Sequence, residues 1–219
     1  MPPSSAGPRL TASGSQTNRD DRSGLNADNT MLIRRQDPYL LLVSMAGVKM
    51  GDRLVQVGCA HGGRLAALAG KVGLTGRAVA VVPDSEAAAR ASKGAADAGV
   101  LVELETAPPT RLPIDDGACD LAVVDDTAGF VSTMASGERV AAIRELLRVL
   151  RPGGRAIIVG AASRSGLAAW LKGGESAPSF AASGDANTAL QTEGFKSVRT
   201  LAEREGQVFV EGIKPREAM

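Results

Sequence analysis

Ala142-Ile143-Arg144-Glu145-Leu146-Leu147-Arg148-Val149-Leu150-Arg151-Pro152-Gly153-Gly154-Arg155-Ala156-Ile157-Ile158-Val159 is the stretch that decides the fold. Val140, Ile143, Leu147 and Leu150 fall on one helical face. Pro152 removes a backbone donor and two glycines follow it, so the helix is expected to stop there. Arg155 to Val159 then reads as a strand. A strand apolar on successive residues is buried on both faces, as in a parallel sheet with helices on either side.

The same alternation runs backwards from this point. Leu121–Val124 reads as a strand, Val100–Leu104 as another, and Ser85–Ala98 as an Ala-rich helix closed by Gly99. Ala78–Val82 is a strand without a polar residue. Leu65, Leu68, Ala69 and Val72 sit at helical spacing, stopped by Gly73 and Gly76. Leu54–Val57, after the turn signal Gly51-Asp52, is the first strand. Strands alternating with helices of ten or more residues make βαβ units, hence an α/β, doubly wound, mostly parallel sheet. Forward of the opening stretch the pattern changes. Residues from Ala161 to about Asn187 are rich in Ser, Gly and Ala and carry Trp170. A short helix, Thr188–Glu193, precedes two strands, Ser197–Ala202 and Gln207–Ile213, joined through Arg204-Glu205-Gly206 as an antiparallel hairpin. With the hairpin the sheet has seven strands.

Residues 1–30 are rich in Ser, Pro, Gly, Asn and Asp and bury too little surface to offset their ordering entropy. They are expected to form a disordered tail ahead of a domain over 31–219. That domain draws on a chain 44% hydrophobic but only 3% aromatic, so Ala, Val and Leu supply the core. A formal net charge of +1 gives no basic excess for nucleic acid or an anionic membrane. Cys59 and Cys119 make neither a disulfide framework nor a metal cluster, and no metal is expected. The start lacks the basic and apolar regions of a signal peptide, and no apolar run is long enough for a membrane helix. The expectation is a cytoplasmic protein.

The first strand runs into Gly58-Cys59-Ala60-His61-Gly62-Gly63 and then a helix. Such a turn lets backbone approach a ligand and aims amide N–H groups at it. Two further phrases give this turn its meaning: Leu112-Pro113-Ile114-Asp115-Asp116-Gly117-Ala118-Cys119-Asp120 ahead of one strand, and Arg148-Val149-Leu150-Arg151-Pro152-Gly153-Gly154 ahead of the next. In order and spacing the chain resembles the class I S-adenosylmethionine-dependent methyltransferases, in particular those acting on small molecules and lipids. The resemblance covers roughly Asp37 to Ile213. It implies a Rossmann-like methyltransferase fold, S-adenosyl-L-methionine as cofactor and a small-molecule methyl acceptor.

Carried over residue by residue, the resemblance assigns cofactor contacts to Gln56, Gly58, Ala60, Gly62, Val82, Asp84 and Pro109. Several depart from the family pattern. An acid usually precedes the glycine turn, where this chain has Gln56, and the turn reads Gly58, Ala60, Gly62. The acid that grips the ribose is replaced by Val82, with Asp84 two residues on. The adenine-binding Asp and its following N–H are replaced by Pro108 and Pro109, which supply neither a side-chain acceptor nor an N–H. Losing both carboxylates costs about 3–6 kcal/mol, or roughly two to four decades in affinity.

Two titratable residues are candidate catalytic groups. His61, the only histidine, sits in the turn either as a general base or as an exposed loop side chain. Asp125, with Asp126, follows a strand on the side where α/β sheets bind ligands; one of the pair either takes a proton from the acceptor or caps the next segment. Cys59 is read as a small buried residue. The region from Ala161 to Asn187 is the candidate lid. Two further functions stay open on the residues: a catalytically inactive domain that binds a protein partner, and a nucleotide-dependent oxidoreductase suggested by Gly58-x-Ala60-x-x-Gly63. The latter fingerprint also wants the acid that Val82 denies.

Overall fold

The computed structural model describes residues 37–163 and 178–216. The expected tail, Trp170 and most of the expected lid lie outside the described residues. The chain divides into Met1–Pro38 and Tyr39–Met219, and every element below belongs to the second unit.

The elements run α1 (Leu40–Ala46), β1 (Arg53–Val57), α2 (Gly62–Val72), β2 (Arg77–Val82), α3 (Ser85–Ala98), β3 (Glu103–Thr106), β4 (Cys119–Asp126), α4 (Ser136–Val149) and β5 (Leu150–Ala161). Then follow α5 (Asp185–Thr192), β6 (Lys196–Arg204) and β7 (Gln207–Ile213). The seven strands form one sheet in the order β3-β2-β1-β4-β5-β7-β6. The first five are mutually parallel, and β7 runs antiparallel to both β5 and β6.

Strand alternation sends side chains to two covered faces. Val55, Val57, Val79, Val81, Ala122, Val124 and Ile158 pack with Ile143, Leu146 and Val149 of α4 and Leu190 of α5. On the other face Leu54, Leu121, Val123, Ile157 and Phe209 meet Leu42 and Ala46 of α1 and Leu68 and Val72 of α2. A smaller cluster joins Ala80 and Val82 to Leu65 of α2 and Ala87 and Ala91 of α3. Helices α2 and α3 cross so closely that a Cβ on Gly62 would overlap the Arg90 carbonyl oxygen and the Gly94 backbone.

Two sequence expectations need correction. The third strand is not Val100–Leu104 but Glu103–Thr106, and all four of its residues are exposed. Val100 and Val102 are apolar because they pack beside the α1–α2 cluster, whereas Leu101 between them is 78% exposed. Pro152-Gly153-Gly154 does not simply end a helix. It lies inside β5, where a bulge separates the Cys119–Leu150 and Leu121–Arg155 pairs. Gly153 takes φ +77, which excludes most other residues.

Candidate functional site

The carboxyl ends of β1, β2, β4 and β5 converge around the glycine turn. Gly58 leaves β1 at φ +79, and its N–H still donates to the Val81 carbonyl at 2.9 Å. A Cβ there would lie 3.0 Å from the Phe130 ring and 3.2 Å from the Asp125 carbonyl, so only glycine fits. Gln56 is fully buried beneath the turn. Its Nε2 donates to the Gly58 carbonyl at 3.0 Å, and its Oε1 has no hydrogen-bond partner.

His61 is the N-cap of α2. It is extended at φ −147, and its Nδ1 accepts from the Gly63 N–H at 3.2 Å. The Tyr39 hydroxyl lies 3.1 Å from the same nitrogen, and the tyrosine ring covers Gly63. His61 is exposed, and this capping bond requires an unprotonated Nδ1.

Asp125 is 3% exposed and fully engaged. Its Oδ2 accepts from the Ala60 N–H at 3.0 Å, across the crevice between the two loops. Its Oδ1 accepts from the Thr127 hydroxyl at 2.6 Å and lies 3.6 Å from Nη1 of Arg64, which itself donates to the Thr127 hydroxyl. A carboxylate with both oxygens occupied by protein donors clamps the turn, so the geometry gives Asp125 a positioning role. Asp126 is fully buried on the opposite face. It accepts from the Val131 and Ser132 N–H groups and the Ser132 hydroxyl, and Ser132 Oγ in turn accepts from the Phe180 N–H. Asp126 therefore organises the segment after β4, one of the two roles open to the pair.

The ribose and adenine positions fare differently. Val82 is fully buried against Ala87 and Ala91. The exposed position just past β2 is Pro83. Asp84 caps α3, its Oδ1 accepting from the Ala87 N–H at 2.8 Å. Pro108 is exposed and its carbonyl accepts from the Arg111 N–H, while Pro109 is buried beside Val57, Val124 and Ile143. Among these residues only Asp84 carries a carboxylate, and one of its oxygens is committed to the α3 cap. The glycine turn offers backbone to a ligand, and the positions assigned to ribose and adenine carry Val82, Asp84, Pro108 and Pro109.

A cleft of about 460 Å³ opens past the ends of β4 and β5, lined by Asp126, Thr127, Gly129, Ser132, Ala161 and Ser179 among others. Its polar groups are largely satisfied within the protein, Ser179 Oγ donating to the Ala161 carbonyl at 2.6 Å. Cys59 and Cys119 are buried and unpaired, and burial pushes each thiol up to about 11, so neither is a thiolate at neutral pH. No cluster of metal-ligating side chains occurs among the described residues, and none of their helices is long and apolar enough to cross a membrane.

Sequence reasoning missed three participants: Tyr39, Arg64 and Ser132. Arg64 was the most accessible of them, a cation in the first turn of a helix whose dipole disfavours it unless a carboxylate is close.

A family model described as a methyltransferase domain matches residues 55–158. The chain is 32% identical over 123 residues to the chloroplastic 2-phytyl-1,4-beta-naphthoquinone methyltransferase of Arabidopsis thaliana, covering 54% of this chain and 45% of that protein. It is 29% identical over 118 residues to an uncharacterized 37.1 kDa transposon protein of Streptomyces fradiae, covering 54% of this chain and 32% of that one. The matches thus span less than half the length of either relative. Among solved structures, a SAM-dependent methyltransferase from Aquifex aeolicus superposes with a TM-score of 0.64 at 19% identity, covering 80% of this chain and 88% of that one. The cyclase SpnF gives 0.59 at 20% identity, covering 80% and 79%. Sequence and fold together define a Rossmann-like methyltransferase domain. Over residues 55–158 in sequence, and in fold, the chain is similar to the class I S-adenosylmethionine-dependent methyltransferases.

Proposed function

We propose that this domain has kept the methyltransferase scaffold and the cleft beside β4 and β5 but has a degenerate donor site, and serves to hold a small molecule or a protein partner. The observation that carries this reading is the joint state of four positions. Val82 is buried in an apolar cluster, Asp84 Oδ1 is held by the α3 cap, and Pro108 and Pro109 offer no N–H. The missing charged contacts leave donor affinity in the millimolar range or weaker, about two to four decades below a fully equipped site.

A second reading keeps the enzyme: methyl transfer to a small acceptor in the cleft, with weakly held S-adenosylmethionine. The intact glycine turn favours it, with Gly58 in the required conformation and Asp125 fixing the Ala60 amide. In that reading the chain's own residues contribute positioning and exclusion of water. Equilibrium dialysis of the full chain with S-adenosylhomocysteine separates the two readings. Retention at micromolar ligand supports the enzyme; no retention below about millimolar supports the binding module.

A further inference from the structure

The amino ends of β1, β4 and β5, at the opposite end of the sheet from the glycine turn, form a second concave site. A pocket of about 220 Å³ is lined by Lys49, Asp52, Asp120, Arg151, Arg155 and Arg216 among others. Two of its walls are glycines, and in both the missing side chain makes room for a guanidinium. A Cβ on Gly47 would collide with the Arg155 guanidinium. One on Gly153 would lie 3.2 Å from Nε of Arg216 and 3.8 Å from Nη1 of Arg151. Arg151 and Arg216 therefore meet over one glycine, like charge beside like charge.

The local carboxylates do not match these cations. Asp120 is shared between Arg53 at 3.0 Å and Arg151 at 2.5 Å. Glu211, which is 2% exposed, is shared between Arg155 at 2.6 Å and Arg199 at 2.9 Å. Asp52 accepts only from the Lys49 backbone N–H, at 2.8 Å. The Arg216 guanidinium and the Lys49 ammonium have no hydrogen-bond or ion-pair partner among the described residues. Partial burial acts to raise the Asp120 carboxyl, yet the hydrogen bonds from Arg53 and Arg151 outweigh it and hold the group well below the usual carboxylate range. In a chain of net charge +1, this is a concentrated and under-neutralised positive site.

We propose that this pocket binds a phosphate group, carried by a phosphorylated small molecule or by a lipid headgroup. Guanidinium forks match phosphate oxygens in geometry, an ammonium adds a point charge, and the pocket is large enough for one or two phosphoryl groups. The site is independent of the carboxyl-end cleft and of whether S-adenosylmethionine binds there.

The test is calorimetric titration of the full chain with pyrophosphate at low ionic strength, alongside flotation with vesicles of phosphatidylcholine alone or mixed with phosphatidic acid. Wild type should bind pyrophosphate saturably. Lys49→Ala combined with Arg216→Ala should weaken binding on the order of tenfold or more, at unchanged thermal stability because both side chains are exposed. Arg204→Ala, at the other end of the sheet, should bind as wild type does. Flotation only with the phosphatidic acid vesicles, competed by pyrophosphate, identifies the lipid headgroup as the source; pyrophosphate binding without flotation identifies a soluble one. No saturable binding of either probe overturns the proposal, as does an equal loss in the Arg204 variant, which would make the effect general electrostatics.

Discussion

At the carboxyl edge of the sheet, the β4–β5 half and the β2–β3 half differ in kind. Past β4, Asp125 and Asp126 are buried and each ties three or more groups together, from the Ala60 amide to the Ser132 hydroxyl. Past β2 and β3 stand Pro83, Asp84, Pro108 and Pro109, whose polar capacity is either absent or used for a local cap. The first set holds the loops to one another, so replacing any member leaves buried charge or unpaired donors behind. The second set joins no two loops: Asp84 serves a local helix cap, and Pro108 and Pro109 offer no N–H.

The comparison can be broken most forcefully at the contact between α2 and α3. Gly62→Val drives a side chain into the Arg90 carbonyl and Gly94, and the expected loss is about 3 kcal/mol or more, read as a lower urea midpoint at unchanged slope. A wild-type midpoint would show that the helices separate freely. Asp125→Ala comes next, at about 2–3 kcal/mol, because it strands Arg64 and the Ala60 amide. Hydrogen exchange should quicken at Ala60 while Ile157 to Val159 in β5 stay protected. Equal loosening of both would erase the distinction between turn and scaffold.

At the amino end of β4, Asp120 gives the comparison a pH dependence. Its folded carboxyl is depressed below its unfolded value near 4, so its contribution is complete above that value and is lost as pH falls below it. Between pH 6 and pH 3, Asp120→Asn should therefore lose less stability than wild type does. Parallel acid-denaturation curves would remove the claim. The smallest effect is expected at His61, an exposed cap: His61→Ala should cost about 1 kcal/mol in thermal unfolding. A loss of several kcal/mol would mean that the histidine supports more than the first turn of α2.

The scaffold was legible in the sequence because burial on a lattice of strands and helices leaves a period. Arg77–Val82 and Ser85–Ala98 could be read almost to the residue, since nothing but packing decides them. The third strand was misplaced because Val100 and Val102 are apolar for contact with the core beneath α2, whereas Glu103–Thr106 pair only with β2 at an exposed edge. Periodicity reports burial and does not distinguish a paired strand from a packed loop. The Asp125 clamp was beyond reach for another reason. It joins residues 60, 64, 125 and 127, and only the folded loops bring them together. Val82, which the resemblance assigns to the cofactor, packs against Ala87 and Ala91 of α3, and Pro83 is the first exposed residue past β2.

The central claim, that the donor site fails through its contact residues and not through its scaffold, is tested most directly by titrating S-adenosylmethionine into wild type and a restored variant side by side. The variant carries Ala60→Gly, Pro83→Asp, Pro108→Asp and Pro109→Ala, leaving Val82 in the core and Asp84 on its cap. Wild type should show no saturable binding below about millimolar. The variant should gain two to four decades, since each restored charged contact adds about 1.5–3 kcal/mol. Micromolar binding by wild type, or a well-folded variant that gains nothing, would contradict the account.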